Sequence, residues 1–284
     1  MVQELSEESV SSGPPSPLSA PWTPPGTPSI LGRIWWLSQD ASGCRVVQDA
    51  LDSGEVVRRA VAAEMKGHIA KAARCPHANH VLQKFISVSS PQECQFVIDE
   101  LLARAGLVFQ TARHRYGCRI IQQLLRRCPV AQTQSLSEWL LVDAQALCCH
   151  SFGTYVMQHL VKHGSEDHRH RITQLIGRQA SAIGQCSSGC AVITATMQCG
   201  ASDQTAWLAR SIAEEQGLLE ALAVAKHGHA VALLVLQTLQ GPDLCAARDR
   251  LLEARVNLHM SRYGYSVVQF LEGTRSAHPA SAGA

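Results

Sequence analysis

The sequence predicts an all-α solenoid of about seven repeats over residues 31–273, and three observations carry that expectation. A short motif returns seven times at nearly constant spacing, and small and branched apolar residues hold fixed columns within its copies. The segments between copies carry helical periodicity.

The motif runs SGCRVVQ at 42–48, HANHVLQ at 77–83, YGCRIIQ at 116–122 and FGTYVMQ at 152–158. Weaker copies follow as SGCAVIT at 188–194, HGHAVAL at 227–233 and YGYSVVQ at 263–269. The third residue of each copy serves as an anchor, at 44, 79, 118, 154, 190, 229 and 265, so the steps run from 35 to 39 residues. Before the anchor stand Gly43, Ala78, Gly117, Gly153, Gly189, Gly228 and Gly264, which suits a helix start that a side chain would obstruct. Two places after it come Val46, Val81, Ile120, Val156, Val192, Val231 and Val267, expected to face the core. Seven places before it lie Leu37, Ala72, Thr111, Leu147, Ile183, Leu222 and Leu258, a mostly apolar column on a preceding helix. Stretches such as FVIDELLARA and RITQLIGRQA fill the intervals with further helix. A unit this short cannot bury its apolar face alone, and stacking supplies the missing surface.

Around this array the composition is permissive. Lys and Arg exceed Asp and Glu by only +2, too little for a chain that grips a polyanion through a basic coat. Glu4, Glu7 and Glu8 lie in an N-terminal stretch without Lys or Arg, so removing those three carboxylates leaves a mildly basic +5. Residues 14–28 hold seven of the twelve prolines among Ser and Thr, which predicts a disordered tail over 1–30, with a second over 274–284. Ser16, Thr23 and Thr27 precede prolines and are candidate phosphorylation sites. The eleven cysteines include no CxxC pair, and neither Cys148, Cys149 and His150 nor Cys186 and Cys190, with His168 and His170 nearby, has the spacing of a structural zinc site. Reduced, mostly buried thiols in a soluble cytosolic or nuclear protein are expected. No apolar run is long enough to span a bilayer.

Stacking does not explain the residues at the anchor, the next position and four beyond it. These triplets are Cys44/Arg45/Gln48, Asn79/His80/Gln83, Cys118/Arg119/Gln122 and Thr154/Tyr155/Gln158. A solvated helix face would carry Glu or Lys as readily, so four glutamines in one place ask for a hydrogen-bonding role. Gln and its i−4 partner together suit the edge of a heterocycle, while Arg, His or Tyr offers a planar surface for stacking.

These units resemble Pumilio (PUF) repeats, over roughly residues 31–273. The resemblance implies a crescent-shaped, right-handed α–α superhelix of three-helix units, binding single-stranded RNA antiparallel to the array. It also implies adenine at Cys44 with Gln48 and at Cys118 with Gln122, and uracil at Asn79 with Gln83 and at Thr154 with Gln158. The element so spelled is 5′-UAUA-3′, read from the fourth repeat back to the first. The chain departs from the family at Thr154, where Asn is usual beside Tyr155. Cys190/Ala191/Thr194 and His229/Ala230/Leu233 lack stacking residue and Gln, and are expected to read nothing. Tyr265/Ser266/Gln269 keeps the Gln behind a bulky anchor, and neither an eighth copy nor a guanine-type Ser/Asn/Glu triplet follows. Lys84, Arg113, Arg115 and Arg262 are candidate phosphate contacts.

The expected partner is messenger RNA, contacted in its 3′ untranslated region by a cytoplasmic monomer that regulates expression after transcription, with protein effectors on the convex face and no membrane or cofactor. A degenerate array acting as a protein scaffold, and a nucleolar relative binding RNA by shape in ribosome assembly, are the alternatives. An enzyme is not expected, because the polar residues recur once per repeat instead of converging on one pocket.

Overall fold

The computed structural model describes residues 30–276, and the N-terminal stretch with Ser16, Thr23 and Thr27 lies outside the described residues. Repeat 1 holds α1 (Ile34–Ser38), α2 (Gly43–Ala50) and α3 (Glu55–Met65), with a 3-10 turn at Leu51–Ser53. Repeat 2 holds α4 (Ile69–Ala72), α5 (Ala78–Val88) and α6 (Gln95–Leu102); repeat 3 holds α7 (Leu107–Ala112), α8 (Gly117–Arg127) and α9 (Val130–Val142). Repeat 4 comprises α10 (Ala144–Cys148), α11 (Gly153–His163) and α12 (Glu166–Arg178), and repeat 5 comprises α13 (Ala180–Gly184), α14 (Ser187–Cys199) and α15 (Ser202–Glu214). Repeat 6 has α16 (Leu218–Val224), α17 (His229–Thr238) and α18 (Gly241–Glu253). Repeat 7 has α19 (Arg255–Met260) and α20 (Gly264–Ser276), which runs three residues past the boundary at 273 expected from sequence. The fold is the expected right-handed α-solenoid, with no strand among the described residues.

The second helices α2, α5, α8, α11, α14, α17 and α20 pack each on the next and form one continuous layer. The first helix of each repeat is only four to seven residues long and could not persist in isolation. Its partner is the start of the second helix, where the glycine column earns its place. A Cβ on Gly43 would stand 2.6 Å from the Leu37 carbonyl oxygen, on Gly153 2.9 Å from that of Leu147, and on Gly228 2.6 Å from that of Leu222. At Gly117, Gly189 and Gly264 the same collision falls on Thr111, Ile183 and Leu258. None of these glycines has a positive φ, so the requirement is closeness of approach rather than an unusual backbone. Repeat 2 alone carries Ala78, fully buried.

In repeats 1, 3, 4 and 7 the residue four places before the anchor satisfies the first amides of the second helix. Asp40 Oδ2 accepts from the Ser42 and Gly43 amides at 2.9 and 2.7 Å, and its carboxyl is held below the usual range by those bonds. His150 Nδ1 accepts from Phe152 and Gly153 at 3.1 and 3.2 Å, His114 Nδ1 from Tyr116 at 3.2 Å, and Ser261 Oγ from Tyr263 at 3.2 Å. An imidazole can accept only when neutral, and burial holds both histidines below their ordinary value. These histidines are structural, each capping the helix that follows it. Carboxylates from third helices cap the starts of α1 and α4: Glu64 accepts from Gly32 and Ile34 at 2.7 Å, and Glu100 from Gly67 at 2.7 Å and Ile69 at 3.2 Å.

The branched column two places after the anchor is buried in repeats 2 to 7, from Val81 through Val267. Val46 is the exception and corrects the sequence expectation: it is 41% exposed, while its neighbour Val47 is fully buried. In later repeats this column is covered from the N-terminal side, and no described repeat precedes the first. All eleven cysteines are free, and six of them, Cys44, Cys94, Cys118, Cys128, Cys148 and Cys190, are buried. No described helix is long and apolar enough to cross a membrane.

Two consequences are measurable. Gly117→Ala, forced onto the Thr111 carbonyl, is expected to destabilise the array by about 1–3 kcal/mol in chemical denaturation. Acid is the second. His159 has a buried Nε2 without a partner, and burial, then the neighbouring His163, holds its pKa at about 4 against 6.5 for the free group. The unfolded chain therefore takes up a proton that the folded chain refuses. Stability from this residue is complete above pH 6.5 and falls by up to about 3 kcal/mol as pH drops to 4, visible as a declining unfolding temperature whose slope is reduced in His159→Gln.

Candidate nucleic-acid interface

Along the layer of second helices the three triplet positions have three distinct environments. The anchors are interior: Cys44 is 4% exposed, Asn79 0%, Cys118 3% and Thr154 5%. The next position is open to solvent at Arg45, His80, Arg119 and Tyr155, the last 54% exposed. Gln48, Gln83, Gln122 and Gln158 are half-buried, one helical turn beyond the anchors. The helix thus sets a flexible planar group outside and a restrained amide beside it.

Each of the four glutamines is held by its own anchor residue, in one of two ways. Gln48 Nε2 donates to the Cys44 backbone carbonyl and Gln122 Nε2 to that of Cys118, both at 3.0 Å. Gln83 Nε2 instead donates to Asn79 Oδ1 at 2.8 Å, and Gln158 Nε2 to Thr154 Oγ1 at 3.2 Å. Thiol anchors send the amide to the main chain, while oxygen-bearing anchors capture it on the side chain. In both arrangements one amide hydrogen is spent, and the Gln retains a second hydrogen and its carbonyl oxygen.

The anchors themselves are committed elsewhere. Asn79 Nδ2 donates to the carbonyls of Cys75 and Pro76 at 2.7 and 2.9 Å, and Thr154 Oγ1 donates to the Ser188 carbonyl of repeat 5 at 3.0 Å. Cys44 and Cys118 stay protonated, their pKa raised first by burial, with thiols directed at the carbonyls of Ala41 and Arg115. Anchor and Gln therefore differ in exposure: the anchors are buried and hydrogen-bonded within the protein, and the glutamines are half-buried.

The weaker copies differ. Cys190 is buried with its thiol on the Gly184 carbonyl at 3.1 Å, Ala191 is exposed and Thr194 half-buried. His229 stacks on Tyr263, ring centroids 5.2 Å apart and planes 26° from parallel. Tyr265 and Gln269 are both exposed, so this Gln lacks the half-buried setting of the other four. Of the candidate phosphate contacts, Lys84 is paired with Asp52 at 2.7 Å. Arg113, Arg115 and Arg262 lie over the rings of Phe109, Tyr116 and Tyr263 at 5.0–5.1 Å. Sequence reasoning overlooked Lys162 and Gln198, which continue the Gln158 and Thr194 rows by one turn and line a cavity with them. The i+4 step alone pointed to both.

His168, read from sequence beside a group of cysteines, instead joins Glu138 and Asp167, with possible ligand atoms within 4.8 Å. Arg171 already bonds Glu138 at 2.8 Å and Asp167 at 3.4 Å, and holding Glu138 ionised lowers the carboxyl's pKa. His168 Nδ1 accepts from the Ser165 amide at 3.4 Å, which places the ring proton on Nε2 and disarms it as a ligand.

Comparison with known proteins agrees with this architecture. A profile described as the Pumilio-family RNA binding repeat matches residues 33–64, 68–102, 108–138 and 144–176. Pumilio homolog 11 of Arabidopsis thaliana is 23% identical over 190 residues, 66% of this chain and 34% of its own length. Pumilio homology domain family member 4 of Saccharomyces cerevisiae is 30% identical over 108 residues, 37% of this chain and 12% of its own. The chain thus spans about a third or less of these relatives. Among solved structures, PUF-8 in complex with PBE-RNA superposes with a TM-score of 0.77 at 22% identity, covering 86% of this chain and 72% of that one. The Puf3 RNA binding domain bound to Cox17 RNA 3′ UTR recognition sequence site B gives 0.72 at 17% identity, covering 84% and 74%.

Thr154→Val removes a hydroxyl that bonds both Ser188 and Gln158. The expected result is a loss of about 1–2 kcal/mol in stability, from the orphaned carbonyl, together with faster exchange of the Gln158 side-chain amide by NMR.

Proposed function

This chain belongs to the Pumilio family of RNA-binding repeat proteins, and we propose that its first four repeats bind single-stranded RNA base by base. The proposed element is 5′-UAUA-3′, read by repeat 4 through repeat 1. The carrying observation is the set of four glutamine amides, each restrained by its anchor and flanked by an exposed Arg, His or Tyr. A restrained amide loses little entropy on meeting a base edge, and the planar neighbour stacks on the ring. Base identity then follows the anchor class. The two thiol anchors, which leave the amide on the main chain, accompany adenine, and the two oxygen anchors accompany uracil. Thr154 supports the second assignment by capturing Gln158 on a side-chain oxygen as Asn79 captures Gln83.

Stacking contributes about 1–3 kcal/mol per base, so four readers supply about 4–12 kcal/mol before ordering costs, which favours micromolar affinity. We further propose that the bound RNA is the 3′ untranslated region of a message and that the consequence is post-transcriptional regulation in the cytoplasm. A neighbour bound to a 3′ UTR recognition sequence supports that choice of RNA. Effector proteins would have the exposed Trp139 and Val142 of α9 available, outside the layer of second helices.

Fluorescence anisotropy with 5′-UAUA-3′ oligonucleotides against scrambled controls tests the reading, the UAUA oligonucleotide binding at least about tenfold tighter. Replacing Cys118, Arg119 and Gln122 by Ser, Asn and Glu is expected to move preference at one position from adenine to guanine. Unchanged selectivity in that variant sinks the assignment of readers.

A further inference from the structure

Repeat 5 departs from its neighbours at the start of its second helix. Four places before the anchor, where repeats 1, 3, 4 and 7 carry Asp40, His114, His150 and Ser261, stands Cys186. Its thiol accepts nothing from the amides of α14 and instead donates back to the Ala182 carbonyl at 3.3 Å. The same oxygen is reached from repeat 4, where Cys149 Sγ lies 3.7 Å from it. Two thiols from adjacent repeats thus meet over one carbonyl. Both are half-buried, whereas the nearby Cys148 and Cys190 are interior. Their contact is felt in protonation: burial, then the Cys186 thiol, pushes Cys149 up to about 12, so Cys149 keeps its proton at neutral pH.

We propose that Cys149 and Cys186 are a redox modification site, closed into an inter-repeat disulfide by a small disulfide oxidant, and that closure weakens the reading of the base at repeat 4. The disulfide stands on the meeting of the thiols, and its effect on RNA rests on the four-reader reading. Cys186, as thiolate, attacks one sulfur of the oxidant RSSR, forming a mixed disulfide and releasing one thiolate RS⁻. Cys149 then gives its proton to solvent and attacks the Cys186 sulfur, displacing the second RS⁻. The protein loses two protons and two electrons, and RSSR becomes two RSH. Cys149 fits the second role, because a thiol that keeps its proton is a poor first nucleophile yet is held against the sulfur it must attack. A sulfur–sulfur bond of about 2 Å draws the two segments closer than thiols in van der Waals contact. That movement falls on both supports of the repeat 4 reader. Cys149 precedes His150, whose Nδ1 holds the first amides of α11, and Cys186 lies just ahead of Ser188, whose carbonyl holds the Thr154 hydroxyl at 3.0 Å. Displacing that carbonyl frees Thr154, and with it Gln158.

The test incubates the whole chain with glutathione disulfide, maps its cysteines by peptide mass, and measures anisotropy with 5′-UAUA-3′, 5′-AAUA-3′ and a scrambled RNA before and after. A Cys149–Cys186 cross-link is expected, reversed by dithiothreitol, and the preference for U over A at the first base is expected to fall by about fivefold, the worth of one hydrogen bond. Cys186→Ser is expected to abolish the cross-link and make that preference indifferent to the oxidant. The change keeps the fold, since it supplies at the capping position the hydroxyl that Ser261 uses in repeat 7. If the exposed Cys199 and Cys245 take up glutathione while Cys149 and Cys186 stay unlinked, the pair is overturned. If the cross-link forms and the preference for U holds, the effect on reading is overturned. If the reduced chain fails to distinguish UAUA from the scrambled RNA, the four-reader reading falls and takes the effect on reading with it, while the mapped cross-link still decides the disulfide.

Discussion

The structure turns on one contact made in six of the seven repeats: a glycine at the start of the second helix pressed against a carbonyl of the short helix before it. Dispersion and sterics act there over a few tenths of an ångström, and a single methyl group would wedge the two helices apart. That closeness drives the anchor into the interior, and a buried anchor is what holds the glutamine beyond it. The chain of dependence runs from a missing side chain to the placement of an amide five residues further on. Repeat 2, with Ala78, accommodates one methyl at this point and remains in the same architecture.

The repeat period, the apolar columns and the exposed middle position of each triplet were legible in sequence because each is a periodic demand of packing or solvation. Val81, Ile120 and Val156 are buried as their recurrence required. Val46 escaped because a column records what a typical repeat needs, and the first repeat has one described neighbour fewer. The commitment of Asn79 to Cys75 and Pro76 was not legible, since hydrogen bonds to main-chain carbonyls leave no residue-type signature. The cavity at repeat 5 was hidden for a related reason. Ala191 and Thr194 read as absences along the chain, and only the helices on either side turn an absence into a lined volume.

Charge plays a subordinate part throughout. Lys84 is matched by Asp52, and three of the loop arginines rest over aromatic rings. With a net charge of +2, little of the interaction with a polyanion would come from counterion release, and the weight falls on neutral amides and planar groups. Such surfaces distinguish bases better than they distinguish one phosphate chain from another.

Thr154 gives the array a property beyond its own repeat. Its hydroxyl joins the glutamine of repeat 4 to a carbonyl at the start of the second helix in repeat 5, so one atom serves two units at once. Adjacent units at this junction are therefore not interchangeable blocks. Transplanting repeat 4 in front of a different successor would keep Gln158 and Thr154 but remove the carbonyl against which the Thr154 hydroxyl is set.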